Sequence, residues 1–233
     1  MSPAQPPRLA EALAALAARE CRAAERALAD TKRRHRGVHE ARKAIRRLKS
    51  LLLLGRKPFA DTLPAIERVL AQLAGGLSPL RDARVAADVA RSLVGPSPSL
   101  AWRGAIETLE HRCEGHLVEA LHKDPRFLKR RRMLRELGVA IAGLPWRRLG
   151  RARIEKELAR SEKRVHKACK RATKDPTSIN LHTWRRRVRR LRMQREAWRG
   201  VAKAIGIPPY RHARRDKAET RALSKLSDTL GAR

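Results

Sequence analysis

Two short segments of this 233-residue chain place a histidine beside dense, regularly spaced cations. The first reads VHEARKAIRRLK from Val38, and the second reads LHTWRRRVRRLR from Leu181. At about 100° per residue, the histidine and five cations of the first segment fall within an arc of about 160° on a helix, and its apolar residues fall opposite. Each segment therefore predicts a helix with one buried face and one face suited to a polyanion.

The candidate ligands are the histidine and the cations of each segment. They are His39, Arg42, Lys43, Arg46, Arg47 and Lys49 in the first helix, and His182, Arg185, Arg186, Arg189, Arg190 and Arg192 in the second. Arginine suits phosphate because its planar fork reaches two oxygens, whereas lysine acts as a compact point charge. The alternative is a solvated basic face, with each histidine only capping or packing near its helix start. Like charges three and four residues apart repel, however, and a bound anion would remove that repulsion.

The second segment repeats the first after 143 residues. His182 corresponds to His39, and the apolar positions correspond too, with Leu191 standing for Leu48. Arg187 is the misfit, because the first copy has alanine at that place. A match in both the polar and the apolar face indicates an internal duplication.

A third segment, LSPLRDARV from Leu77 to Val85, completes an ordered set of motifs that resembles the CHAD domain family, named for a histidine-containing α-helical fold. The resemblance extends from about Arg8 over nearly the whole chain. It implies two pseudo-repeated four-helix bundles with a central basic groove or pore, in which the two basic faces bind inorganic polyphosphate. It also implies that Arg81 is a further polyphosphate ligand, while Asp82 orients a basic neighbour.

The domain organisation follows from the duplication. We expect a disordered N-terminus over residues 1–7, a first half over 8–145 and a second half over 146–233. When LSDTLGAR near the C-terminus is aligned with the LAGGLSPLR region, the second half is short by several tens of residues. Either the sequence is truncated at the C-terminus or the missing helices come from elsewhere, so we expect the second bundle of this chain to be incomplete.

The elements between the motifs all read as helices. Apolar residues recur every three or four positions between breaks formed by prolines and glycines, Gly37 among them. The predicted helices cover about 8–29, 38–54, 63–73, 79–93, 100–121, 126–142, 151–172, 178–204 and 212–230. No stretch alternates apolar and polar residues with the β-branched content of a strand, so the predicted fold is all-α.

Composition supports a polyanionic partner and leaves its identity open. Lys and Arg number 56 against 23 Asp and Glu, a net charge of +33, while a hydrophobic fraction of 42% argues against disorder. Nucleic acid is the main rival to polyphosphate. Single-strand binders interleave aromatic residues, but aromatics are 3% here and Trp184 falls on an apolar face. Duplex DNA remains open because phosphate contacts alone can hold it.

We predict neither catalysis nor a cofactor. The Glu-x-Glu-x-Lys signature of triphosphate-tunnel hydrolases is missing, since Glu155-Lys156-Glu157 continues differently, and no paired carboxylates suggest a site for phosphoryl chemistry. We also predict no metal site. Cys113 and His116 lie three residues apart on one helix, but the sequence supplies them with no third ligand.

Cysteine content and hydropathy indicate a location. The cysteines Cys21, Cys113 and Cys169 are odd in number and far apart, so they form neither a disulfide framework nor a C-x-x-C pair. No apolar run approaches the roughly 20 residues that span a bilayer, and the N-terminus does not read as a secretory signal. We expect a cytoplasmic protein associated with polyphosphate granules.

Overall fold

The computed structural model describes residues 9–95, 99–207, 221–223, 225, 226 and 229. Over these residues the regular structure is helical and no strand occurs, which confirms the predicted all-α fold. None of the helices in this part of the chain has the length and apolar character needed to cross a membrane. The α-helices are α1 (Leu9–Ala29), α2 (Arg34–Leu52), α3 (Leu63–Gly76), α4 (Ser78–Leu93), α5 (Leu100–Lys123), α6 (Leu128–Ala142), α7 (Arg151–Lys174) and α8 (Ser178–Ala204).

Short 3-10 helices connect several of these elements. One follows α2 at Leu53–Gly55, one precedes α6 at Pro125–Phe127, and one precedes α7 at Trp146–Arg148. Of the last predicted helix, 212–230, residues 221–223, 225, 226 and 229 are helical, and the remainder lies outside the described residues. The N-terminal stretch 1–7 also lies outside them.

The prediction that Gly37 breaks the chain is wrong. α2 begins at Arg34, four residues earlier than predicted, and Gly37 lies within its first turns. A Cβ atom at Gly37 would lie 2.3 Å from the carbonyl oxygen of Ala27 on α1. Glycine is needed because α1 and α2 approach closely at this point. The additional turn places His35 on α2.

The helices form two compact units. The first contains the described parts of Met1–Arg19, Arg47–Leu63 and Ile141–Arg233, and the second contains Glu20–Arg46 and the described parts of Pro64–Ala140. Both α1 and α2 therefore contribute residues to each unit. The compact units are thus not contiguous in sequence, and the duplicated halves 8–145 and 146–233 remain a prediction.

In the first unit α7 packs against α8, and the 3-10 helix Leu53–Gly55 packs against α7. Ile154 on α7 and Val188 and Leu191 on α8 are buried, while Trp184 is only half-buried. Burial of an aliphatic side chain of this size contributes about 1.5–3 kcal/mol. The apolar stripe of α8 therefore fixes which of its faces is left for cations.

In the second unit α4 packs against α5, and α6 begins at a buried carboxylate. Asp124 accepts hydrogen bonds from the backbone N–H groups of Lys129 (2.8 Å) and Arg130 (3.3 Å). It also forms an ion pair with Nη1 of Arg130 at 2.7 Å. These bonds satisfy donors that the first turn of a helix leaves unpaired. The cap fixes where α6 starts.

Candidate functional site

The first basic segment lies entirely within α2, as predicted. Its apolar face is buried, with Ala41, Ile45 and Leu48 each exposed by 2% or less. On the remaining surface His39 and Lys43 are exposed, and the other predicted ligands are half-buried: Arg42, Arg46, Arg47 and Lys49. α2 carries seven Lys and Arg residues against one acid, a formal charge of +6.

Arg42 contacts the protein itself. Its Nη1 donates to the carbonyl oxygen of Ala74 at the end of α3 (2.5 Å) and to the hydroxyl of Ser78 at the start of α4 (2.8 Å). Burial lowers the pKa of this guanidinium, and the nearby Asp82 carboxylate opposes that shift. Arg42 therefore fastens α2 to the α3–α4 junction, whatever it contributes to an anion.

The third motif lies beside this part of α2 in the second unit. Arg81 and Asp82 are both electrostatic neighbours of Arg42, and Nη1 of Arg81 pairs with the Asp82 carboxylate at 3.1 Å. Lys43 pairs with Glu40 at 3.7 Å. Exposed pairs of this kind contribute about 0–1 kcal/mol. Such weak pairs leave Arg81 and Lys43 able to exchange their carboxylate partners for another anion.

The second basic segment lies entirely within α8. Thr177 caps this helix by accepting the Asn180 N–H (3.3 Å). His182 and Arg186 are exposed, and the other predicted ligands are half-buried: Arg185, Arg189, Arg190 and Arg192. Arg192 lies 3.9 Å from Glu196. α8 carries nine Lys and Arg residues against one acid, a formal charge of +8.

The structure explains the misfit at Arg187. Its Nη1 donates to the backbone carbonyl of Arg164 on α7 at 3.0 Å. Arg187 therefore points toward the helix that packs on α8, where the first copy has a small buried alanine at position 44. It serves packing within the first unit, unlike its exposed neighbour Arg186.

The ends of the two basic helices meet in the first unit. The Ser50 hydroxyl on α2 contacts Sδ of Met193 on α8 at 3.7 Å. These two residues are 143 positions apart, the same spacing that relates the two histidines. This contact brings the C-terminal ends of both basic faces, Arg47 to Lys49 and Arg190 to Arg192, into one region of the first unit. The pseudo-twofold relation between the two halves remains a prediction.

The structure contains a third cluster of cations that the sequence did not predict. A cleft of about 630 Å³ in the first unit is lined by ten residues, of which seven are Lys or Arg: Lys57, Arg147, Arg148, Arg151, Arg153, Lys156 and Arg160. Arg151 pairs with Glu155 (2.9 Å) and Arg160 pairs with Glu157. These cations come from the segment after Gly55, the 3-10 helix Trp146–Arg148 and the first three turns of α7. The signal in the sequence was the short run Arg147 to Arg153, which has no helical periodicity before Arg151.

Comparison with known proteins agrees with this architecture. A family model described as the CHAD domain matches residues 7–233. A solved structure, the CHAD domain from the plant Ricinus communis, matches with a TM-score of 0.71 and 19% sequence identity, covering 100% of this chain and 76% of that one. Comparison with curated proteins gave no match. Since the family model matches nearly the whole chain, the protein belongs to the CHAD domain family.

Proposed function

We propose that this protein binds inorganic polyphosphate through the basic faces of α2 and α8, without catalysis. The observation that carries the proposal is the meeting of the two helices at Ser50 and Met193. The two helices carry formal charges of +6 and +8, so each basic face attracts anions, and the C-terminal ends of the two helices meet within the first unit. Family membership supports the same ligand, since the resemblance to CHAD domains implies it.

The half-buried arginines suit a phosphate chain. Arg46 on α2 and Arg189 on α8 are partly shielded from water, and each is the counterpart of the other in the repeat. Shielding strengthens a charge-assisted hydrogen bond, and a guanidinium presents two parallel donors to two phosphate oxygens. Many such contacts release many counterions, so binding should depend steeply on salt.

Aromatic placement favours polyphosphate over single-stranded nucleic acid. Among the described aromatic residues, Trp102 on α5 is the exposed one, and the others are buried or half-buried. Neither basic face therefore offers rings on which successive bases would stack. A phosphate chain needs no such platform. Duplex DNA, held through its phosphates alone, is the competitor that the experiment must test.

The acids beside the basic faces support binding rather than hydrolysis. Glu40 pairs with Lys43 on α2, and Glu196 lies near Arg192 on α8. Each is a single carboxylate beside a cation, whereas metal-assisted phosphoryl transfer commonly uses a set of carboxylates around the ions. We infer a binding or granule-targeting module.

The experiment is a salt titration of long-chain polyphosphate binding. We expect Arg46→Ala and Arg189→Ala each to weaken affinity about five- to tenfold and to reduce the salt slope by about 0.7–0.9, because each removes one phosphate contact. Arg68→Ala is the matched control, since Arg68 is an exposed cation on α3 outside both basic faces. It should change affinity less than twofold.

Three results would contradict the proposal. If Arg68→Ala weakened binding as much as the two test variants, binding would reflect net charge and not the helix faces. If duplex DNA displaced polyphosphate at equal phosphate concentration and moderate salt, nucleic acid would be the better ligand. Steady orthophosphate release, abolished by Arg46→Ala or Arg189→Ala, would instead make the protein an enzyme.

A further inference from the structure

One group of metal-ligating side chains contains none of the residues that the polyphosphate proposal uses for binding. His35 on α2 and Cys113 and Glu114 on α5 come together in the second unit, with one ligand atom of each within 4.8 Å of the others. His35 lies in the additional turn of α2 that Gly37 makes possible. His35 and Cys113 are 78 positions apart in the sequence, too far for the short ligand spacing of a metal-binding motif.

We propose that His35, Cys113 and Glu114 form a binding site for one divalent metal ion of the zinc type. Cys113 supplies a sulfur that releases its thiol proton to solvent as the ion binds. His35 supplies an imidazole nitrogen and Glu114 a carboxylate oxygen, and zinc takes all three kinds of donor in proteins. Three protein ligands leave a fourth position for water. Glu114 is largely exposed, so solvent and the ion reach the site from this side.

The distances are close to those that a metal requires. Nε2 of His35 lies 2.8 Å from Oε1 of Glu114, and Sγ of Cys113 lies 3.8 Å from Nδ1 and 3.9 Å from Nε2 of His35. Bond lengths of about 2.1 Å to N and O and about 2.3 Å to S predict separations of about 3.4 and 3.6 Å around a tetrahedral ion. Rotation of the imidazole ring and a small shift of the exposed Glu114 carboxylate would bring the donors to that geometry.

The surroundings hold the ligands in place. Gly37 lies against the Ala27 carbonyl, and the guanidinium of Arg34 lies 5.9 Å from the centre of the buried Phe127 ring. These contacts fix the backbone on both sides of His35. Cys113 is 2% exposed, so its sulfur has little freedom to leave the site. Side chains that packing already fixes lose less conformational entropy when they bind a metal ion.

Local charge favours a cation here in spite of the basic chain. The charged neighbours of Cys113 are Glu114, Arg84, Asp88 and Arg91. Both arginines are paired, since Arg84 and Arg91 each contact Asp88, at 3.1 and 3.3 Å, and Arg91 also contacts Glu110 at 2.9 Å. α5 carries four acids against three Lys and Arg residues. The acids of α4 and α5 therefore offset the positive charge that Arg34 and Arg36 place beside His35 on α2.

The competing explanation for this cluster is a His35–Glu114 contact that binds no metal. Cobalt binding distinguishes a metal site from such a contact. The purified full-length protein, reduced and free of metal, is titrated with Co²⁺ and separately with Zn²⁺. We expect one equivalent of Co²⁺ to give a thiolate-to-cobalt charge-transfer band that Zn²⁺ abolishes, and we expect Zn²⁺ to raise the thermal midpoint. Cys113→Ala should remove the band, and Glu114→Gln and His35→Gln should each weaken Zn²⁺ binding tenfold or more.

Matched controls use the remaining thiols and histidines. Cys169→Ala, His166→Gln and His116→Gln should leave the band and the affinity unchanged. Glu114 is exposed, so Glu114→Gln keeps the test valid even where Cys113→Ala unfolds the protein. Absence of a thiolate band, or its loss in Cys169→Ala or His116→Gln but not in Glu114→Gln, would overturn the proposed site. Polyphosphate affinity should be the same for Glu114→Gln and the parent, so the two proposals fail separately.

Discussion

α8 and α5 are helices of similar length with opposite chemistry. α8 has 27 residues with nine Lys and Arg and one acid, whereas α5 has 24 residues with three Lys and Arg, four acids, three histidines and a cysteine. The net charge of the chain is +33, but this positive charge is spread unevenly between the two helices. Local composition, and the contacts that neutralise it, therefore differ between helices of one chain, and the two proposed sites depend on that difference.

A second contrast lies within the basic helices themselves. Arg186 and Arg187 are adjacent on α8, yet the first is exposed while the second donates to a backbone carbonyl of α7. On α2, Lys43 is exposed while Arg42 bonds the α3–α4 junction. Each basic segment therefore mixes cations that face solvent with cations that hold helices together.

The largest effect should come from removing several cations of α8 at once. Replacing Arg185, Arg186, Arg189 and Arg190 by serine should lower polyphosphate affinity by about 10²–10³-fold at moderate salt, because counterion release scales with the number of phosphate contacts. The affinity for Zn²⁺ should stay within twofold of the parent. Binding isotherms for both ligands, with circular dichroism to verify helix content, check this prediction. A parallel loss of both affinities would mean that the two surfaces are not distinct.

Substitutions of Arg186 and Arg187, which are adjacent on α8, should have different effects on folding stability and on polyphosphate affinity. Arg187→Met should lower the free energy of unfolding by about 1–3 kcal/mol, because it leaves the Arg164 carbonyl without this donor. Its polyphosphate affinity should change less than twofold. Arg186→Met should do the reverse, with unchanged stability and about fivefold weaker binding. Urea unfolding beside binding titrations measures both quantities, and equal behaviour of the two variants would refute the distinction.

The smallest effect concerns the turn that carries His35. Gly37→Ala should lower the free energy of unfolding by about 1–2 kcal/mol and weaken Zn²⁺ binding, because its Cβ would collide with the Ala27 carbonyl. Gly104→Ala on α5 is the matched control, since nothing lies within 4 Å of a Cβ there. It should stabilise the protein by about 0.5–1 kcal/mol through helix propensity alone. A neutral Gly37→Ala would show that α1 and α2 tolerate separation.

Much of the fold was predictable from the sequence because helical periodicity is local. Hydrophobic spacing placed α8 at residues 178–204, and the structure has the same bounds. The sides of both basic helices that carry cations followed from the same periodicity, since Ile45 and Val188 are buried while the cations are half-buried or exposed. Gly37 was misread because a glycine in sequence does not distinguish a helix break from a close approach between two helices.

The sequence by itself determined the all-α fold, the repeat of a basic helix after 143 residues and membership of the CHAD family, since these depend on residue type and spacing along one chain. Tertiary structure alone decided which cations are structural, as at Arg42 and Arg187, because only packing shows which carbonyl a guanidinium reaches. It also decided that Ser50 meets Met193 and that His35 meets Cys113 and Glu114. Contacts between residues so far apart in sequence arise from helix packing, which no local pattern encodes.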